Sequence, residues 1–218
     1  MEKKIRGCIF DLDGVVVDTA KYHYAAWKRL AGELGFYLNI EENEKLKGVS
    51  RMESLDIILE IGGIENCSQE RKRLLAEQKN AYYLELLVDM RPSEILPGIV
   101  ELIKGLKIQG CKIALGSASK SAGMILERLG MVELFDEIVD GNDIKYAKPH
   151  PEVFQTAAKK LGISYEKCIV VEDAKAGIEA AHACGMCCIG IGDSKILSAA
   201  DFHVKNTVEL LDIFAAIV

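Results

Sequence analysis

The sequence predicts an α/β protein: a doubly wound, mainly parallel sheet with a small α-helical domain inserted into it. Three observations lead there. From about Pro97 onward, short apolar runs alternate with longer segments of helical period, the signature of βαβ units. Between the first apolar run and that alternation lies a block with no convincing strand. Finally, four acidic or phosphate-binding signals fall where apolar runs end: Asp11-Leu-Asp13-Gly, Ser117-Ala-Ser119, Lys148-Pro and Glu172-Asp173. In an open parallel sheet the carboxyl ends of the strands face one crevice, so residues far apart in the chain can meet there.

The first strand is Gly7-Cys-Ile-Phe, ending at Asp11. Asp18-Thr19 offer helix N-cap oxygens, and Tyr24, Trp27, Leu30, Ala31 and Leu34 then share one helical face before Gly35. Helical patterns continue over 41–47, 51–61 and 69–88, and Arg91-Pro92-Ser93 reads as a second hinge. The alternation follows: helix from Pro97-Gly98 to Ile108, strand 112–115, helix 121–129, strand 137–139, helix 152–161, strand 168–171, helix 176–184, then strands 187–191 and 202–204. The expected organisation is a catalytic core of residues 1–16 and 93–218 around a helical domain of residues 17–92.

Composition narrows the classes. With 218 residues, half of them hydrophobic, the chain can bury one α/β core and a modest second domain. A net charge of -6 without a basic stripe argues against nucleic-acid binding. Asp11 interrupts the first apolar run too early for a signal peptide, and no segment is long enough to span a bilayer. The seven cysteines lie mostly in or beside apolar strands, which points to a reducing, cytoplasmic setting. Cys184-Gly-Met-Cys187 is a lone C-x-x-C that runs into a strand, and packing explains it.

The strand-end acids carry the chemistry. Asp11 and Asp13 cannot both be buried without a cation, because an isolated buried anion costs several kcal/mol or more. Mg²⁺ would satisfy them, since it takes hard oxygen ligands, a few carboxylates and a substrate phosphate. A D-x-D alone reads as a solvated turn; Glu172-Asp173 at a second strand end supply the missing ligands. Gly116-Ser-Ala-Ser-Lys120-Ser lacks the spacing of a nucleotide-binding loop.

Phe10-Asp11-Leu-Asp13-Gly14-Val, Ser117-Ala-Ser119, Lys148-Pro149, and Glu172-Asp173 with Ala176-Gly177-Ile178 resemble the four motifs of the haloacid dehalogenase-like superfamily of phosphatases and phosphomutases. The resemblance implies a Rossmann-like core with the helical block as a cap. It makes Asp11 the nucleophile and a Mg²⁺ ligand. Asp13 becomes the general acid and base, offering its backbone carbonyl to the metal, and Glu172 and Asp173 complete the site. Ser117, Ala118 and Lys148 would hold the transferring phosphoryl group.

Within the helical block, Asp18-Thr19 to Trp27, Leu46-Lys47-Gly48-Val49-Ser50-Arg51 with Ser54, and Lys79-Asn80 resemble the hexose-phosphate mutases of that superfamily. This implies interconversion of β-glucose 1-phosphate and glucose 6-phosphate through an aspartyl phosphate and β-glucose 1,6-bisphosphate. The implied substrate contacts are Thr19, His23, Lys47, Gly48, Arg51, Ser54 and Lys79, with Ser119 and Lys120 from the core. A mutase must grip a phosphate that is not reacting, and a planar guanidinium with two ammonium groups suits that task. Without the resemblance His23 reads as a packing histidine, and any one lysine as a solvated helix residue. Ser121 and Ala174 depart from the pattern, where asparagine and serine are usual. The expected partner is a small sugar phosphate, with no obligate protein partner. A phosphatase on the same scaffold, an aspartyl-phosphate signalling domain and a silent interaction module are the rivals. Asp13 beside the acceptor and the intact set of carboxylates oppose the last two.

Overall fold

The computed structural model describes residues 5–46 and 50–217. In chain order, β1 (Gly7–Phe10) is followed by α1 (Ala20–Glu33), α2 (Ile40–Glu44), α3 (Arg51–Ile61) and α4 (Gln69–Leu87). Then come α5 (Ile99–Ile108), β2 (Lys112–Gly116), α6 (Ala122–Leu129), β3 (Glu137–Val139), α7 (Glu152–Leu161) and β4 (Cys168–Glu172). The chain closes with α8 (Lys175–Ala183), β5 (Cys187–Ile191), β6 (Phe202–Val204) and α9 (Leu210–Ile217). It forms two compact units, Met1–Asp18 with Arg91–Val218, and Thr19–Met90, divided at positions two residues from those expected.

In the first unit the six strands pair in the order β3-β2-β1-β4-β5-β6, all parallel. Parallel strands covered on both faces read as continuous apolar runs, and β1 and β4 are buried from end to end. On one face Ile9, Ala114, Val139, Val170 and Cys188 pack with Phe154 and Ala157 of α7 and Ile178 and Ala181 of α8. On the other, the Phe10 ring lies 6.5 Å from Phe214 of α9, and α5 packs on β2. Each such fully buried aliphatic or aromatic side chain contributes about 1.5–3 kcal/mol. The chain leaves β1 toward β2 and β3, then crosses to β4 on the other side. The strand order therefore reverses between β1 and β4, and it is outside the carboxyl ends at such a switch point that open α/β sheets bind ligands.

The segment after β1 and the one before α5 meet as well: Val17 bridges Ile95, and Leu96 N–H donates to the Val16 carbonyl at 2.9 Å.

In the second unit α1 and α3 both pack on α4. Ala26, Trp27, Leu30 and Ala31 of α1, Leu55, Ile58 and Leu59 of α3, and Leu75, Tyr83 and Leu87 of α4 form its core. The helix expected over 41–47 is α2, and a reciprocal capping box moves its start. Asn39 Oδ1 accepts the Glu42 N–H at 2.8 Å while Glu42 Oε2 accepts the Asn39 N–H at 2.9 Å. Among the described residues no helix is long and apolar enough to cross a membrane.

Two sequence expectations need correction. Helix α9 was not expected; its Leu-Leu-Asp-Ile-Phe-Ala-Ala-Ile run is so uniformly apolar that period cannot separate helix from strand. Thr19 does occupy the N-cap position of α1, but its side chain makes no cap hydrogen bond. Its backbone is already helical (φ -94°, ψ -2°), whereas a capping side chain needs the extended conformation to reach the first-turn N–H groups.

Candidate active site

Backbone pairing places the first carboxylates. Asp11 follows β1 directly, and its N–H donates to the Val171 carbonyl at 3.0 Å, tying it to β4. The chain then turns tightly, with Leu12 O accepting from Val16 and Val17, and Gly14 N–H donating to Val17 O at 2.8 Å. Gly14 has φ +74°, and a Cβ there would lie 2.0 Å from Asp173 Oδ2. Only glycine fits that turn. Glu172 ends β4 and accepts the N–H groups of Asp173 and Ala174, each at 3.1 Å. A Cβ on Gly177 of α8 would fall 1.9 Å from the Glu172 carboxyl carbon. Both glycines in the predicted motifs therefore make room for a carboxylate, a role the residue type alone does not reveal.

Lys148, expected at a strand end, instead lies on the loop between β3 and α7, and from there it joins the ends of β1 and β4. Its ammonium donates to Asp11 Oδ1 and to Glu172 Oε1, with the three side chains 11%, 10% and 1% exposed. The face of the Phe154 ring lies 4.8 Å from the same nitrogen. Burial opposes the lysine charge, but Asp11 and Glu172 outweigh it and raise the pKa above the usual lysine range.

Oxygens of Asp11, Glu172 and Asp173 lie within 4.8 Å of one another, the spacing of a cation site. Burial pushes Glu172 up to about 7, with Asp11 adding repulsion and Lys148 opposing it. Asp173 keeps an exposed face, but desolvation by its packed neighbours, together with the charges of Asp11, Glu172 and Asp13, pushes it up to about 8. One ammonium does not balance these carboxylates, so the donor set fits a hard divalent cation.

A stability prediction follows from the sign of these shifts. Carboxyls with raised folded-state pKa values bind more protons folded than unfolded, so their stabilisation is greatest at low pH and is lost as pH rises through about 7 to 8. Metal-free protein should therefore melt at progressively lower temperature from pH 5 to pH 8. Added Mg²⁺ should raise the midpoint most at the upper end. A metal-free midpoint that rises across this interval would contradict the assignment.

The β2 loop is braced by its own hydroxyls. Ser117, 2% exposed, has its N–H on Val139 O at 3.0 Å. Its Oγ accepts the Ser119 N–H at 3.1 Å, and Ser119 Oγ accepts the Ser121 N–H at 3.3 Å. Each hydroxyl keeps its O–H for an incoming oxygen. Sequence reasoning missed the loop after β3. Asn142 Nδ2 donates to Lys120 O at 3.2 Å, and Gly141 packs so closely that a Cβ would sit 2.4 Å from Ala118 O. The only signal for it was an Asp-Gly-Asn turn.

In the helical unit, His23 Nδ1 lies 2.7 Å from Lys79 Nζ, and its ring stacks on Tyr83 at 4.1 Å. Lys79 is 2% exposed, its ammonium 4.8 Å from the Trp27 ring centroid and 5.0 Å from that of Tyr83. Burial lowers the His23 pKa to about 3, with the charges of Lys79 and Arg51 in support. The imidazole is therefore neutral: Nδ1 accepts from the ammonium, and Nε2 carries the proton. Arg51 is the exposed first residue of α3, behind a Ser50–Glu53 capping box, and Ser54 is buried one turn on. Thr19 is buried before α1. Lys47 and Gly48 lie outside the described residues.

The sheet order and the strand-end carboxylates define a class, and comparison bears it out: residues 5–185 match the family model of the haloacid dehalogenase-like hydrolases, and the chain belongs to that family. Over 94% of its length it is 41% identical to β-phosphoglucomutase of Bacillus subtilis, covering 92% of that protein. The crystal structure of β-phosphoglucomutase from Clostridium difficile matches with a TM-score of 0.86 and 44% identity, over 97% of this chain and 96% of that one. Fructose-1-phosphate phosphatase of Escherichia coli is 31% identical over 85% of this chain and 96% of its own.

Proposed function

We propose that the protein is a cytoplasmic β-phosphoglucomutase, interconverting β-D-glucose 1-phosphate and glucose 6-phosphate through β-glucose 1,6-bisphosphate. Asp11 carries the phosphoryl group between the two hydroxyls. Held by Asp11, Glu172, Asp173 and the Asp13 backbone carbonyl, Mg²⁺ would neutralise carboxylate and phosphate charge at the reacting centre. Asp11 attacks phosphorus, and Asp13 passes a proton to the departing sugar oxygen. In the return step Asp13 takes the proton of the incoming hydroxyl. Lys148 offsets charge on Asp11 and on the phosphoryl oxygens, with Ser117 and Ala118 beside them.

The observation that favours a mutase is the cation cluster of the helical unit, Lys79 with Arg51, around the neutral His23. It suits a phosphate that must be held while the other reacts. Two relatives above 40% identity are named as mutases. The second reading is a sugar-phosphate phosphatase, in which water takes the phosphoryl group from Asp11; relatives near 31% identity are named as phosphatases and favour it.

Arg51→Ala separates the two. Loss of a charge-assisted contact to the distal phosphate should cost roughly 1.5–3 kcal/mol in kcat/KM for isomerisation. Hydrolysis of acetyl phosphate, which has no distal phosphate, should change little. Equal losses with both substrates would refute the distal-phosphate role, and no loss with either would remove the main support for a mutase.

A further inference from the structure

Lys148 sits on a loop with no regular structure, between β3 and α7. Its ammonium nevertheless meets two carboxylates at the ends of two different strands. Something must hold the loop. On the upstream side, Glu152 Oε2 accepts the N–H groups of both Lys145, at 2.9 Å, and Tyr146, at 2.8 Å. On the downstream side, the Glu152 N–H donates to His150 Nδ1 at 3.3 Å, while the His150 N–H reaches back to Ala147 O at 3.0 Å. The Tyr146 and His150 rings close over one another at 4.7 Å. One residue at the start of α7 thus fastens the chain on either side of Lys148. Two positions on, Phe154 is fully buried in the sheet core and supplies the ring face against the ammonium.

We propose that Glu152 is a positioning residue for Lys148: by clamping the backbone of residues 145–150 onto the first turn of α7, it sets the reach of the ammonium to Asp11 and the transferring phosphoryl group. The inference rests on the phosphoryl-transfer reading above. The two N–H donors also hold the Glu152 carboxyl below the usual glutamate range, so the clamp keeps its charge at neutral pH. A displacement of about 1 Å in such a group can cost on the order of 10²-fold in rate.

The test is the rate at which acetyl phosphate phosphorylates Asp11 in the presence of Mg²⁺, measured for Glu152→Ala, Glu152→Gln, Lys148→Ala and the double variant Glu152→Ala/Lys148→Ala. Glu152→Ala should slow phosphorylation by roughly 10- to 100-fold. Glu152→Gln, which keeps an acceptor oxygen, should recover most of that loss. In the Lys148→Ala background, Glu152→Ala should add less than about a further twofold loss, because the residue acts through Lys148. If Glu152→Ala does not fold, Glu152→Asp takes its place, since its shorter carboxylate cannot reach both N–H groups. A wild-type rate in the folded single variant, or the same loss with and without Lys148, would overturn the proposal. A wild-type rate in Lys148→Ala alone would instead overturn the phosphoryl-transfer reading on which it rests.

Discussion

Asp11→Asn is expected to abolish the base-labile acyl phosphate and to lower turnover by at least about 10³-fold while the protein stays folded. Asp11 is fixed by β1 on one side and by its N–H bond to Val171 on the other. Neither tie uses the carboxylate, so the amide keeps the backbone geometry. What it loses is the nucleophile and one of three clustered carboxylate charges. Lys148 would also lose one charged acceptor and keep Glu172. Circular dichroism should match the parent, and mass spectrometry after exposure to acetyl phosphate should show no added phosphate. Mutase activity within tenfold of the parent would remove Asp11 from the nucleophile role.

Lys148→Ala should damage both chemistry and stability. Its ammonium is the one cation seen bridging Asp11 and Glu172 among the described residues, and Glu172 is 1% exposed. Removing one partner of a buried ion pair typically costs about 3–5 kcal/mol, because the remaining charge is left without compensation. Burial already holds Glu172 near 7 with the lysine in place, and loss of the lysine moves it further up. The variant can therefore recover part of the loss by taking up a proton. In metal-free buffer its deficit in melting temperature should be smaller at pH 6 than at pH 8. Phosphorylation of Asp11 should slow by roughly 10²- to 10³-fold, the scale for removing one preorganised charge-stabilising group. Parent-like melting at both pH values would show that the bridge contributes nothing to the fold.

Both predictions concern residues visible in the sequence, and the reason is physical. Parallel strands buried on both faces are near-uniform apolar runs, so each stands out, and an acid at its carboxyl end cannot be accounted for by packing. Asp11, Glu172 and Asp173 were singled out on that ground, and they meet in space with Lys148, which was also read as a strand-end residue but lies on the loop between β3 and α7. The α9 helix was illegible for the converse reason, since its apolar run has no polar face to set a period. Other features depend on contacts between distant residues. His23 and Lys79 lie 56 positions apart, and nothing local says that the imidazole accepts a hydrogen bond from a buried ammonium. Glu152 looks like any acid in a first helical turn, where it would complement the dipole, and only coordinates show its two loop N–H donors. The tight fits of Gly14, Gly141 and Gly177 are likewise invisible until the opposing atoms are placed.

The most direct measurement is a coupled assay of Mg²⁺-dependent glucose 6-phosphate formation from β-glucose 1-phosphate and, separately, from its α anomer, with free phosphate followed in the same samples. The account predicts fast isomerisation of the β anomer, little from the α anomer, and release of free phosphate much slower than isomerisation. Stoichiometric release of phosphate from the β anomer without glucose 6-phosphate would contradict it and establish a phosphatase.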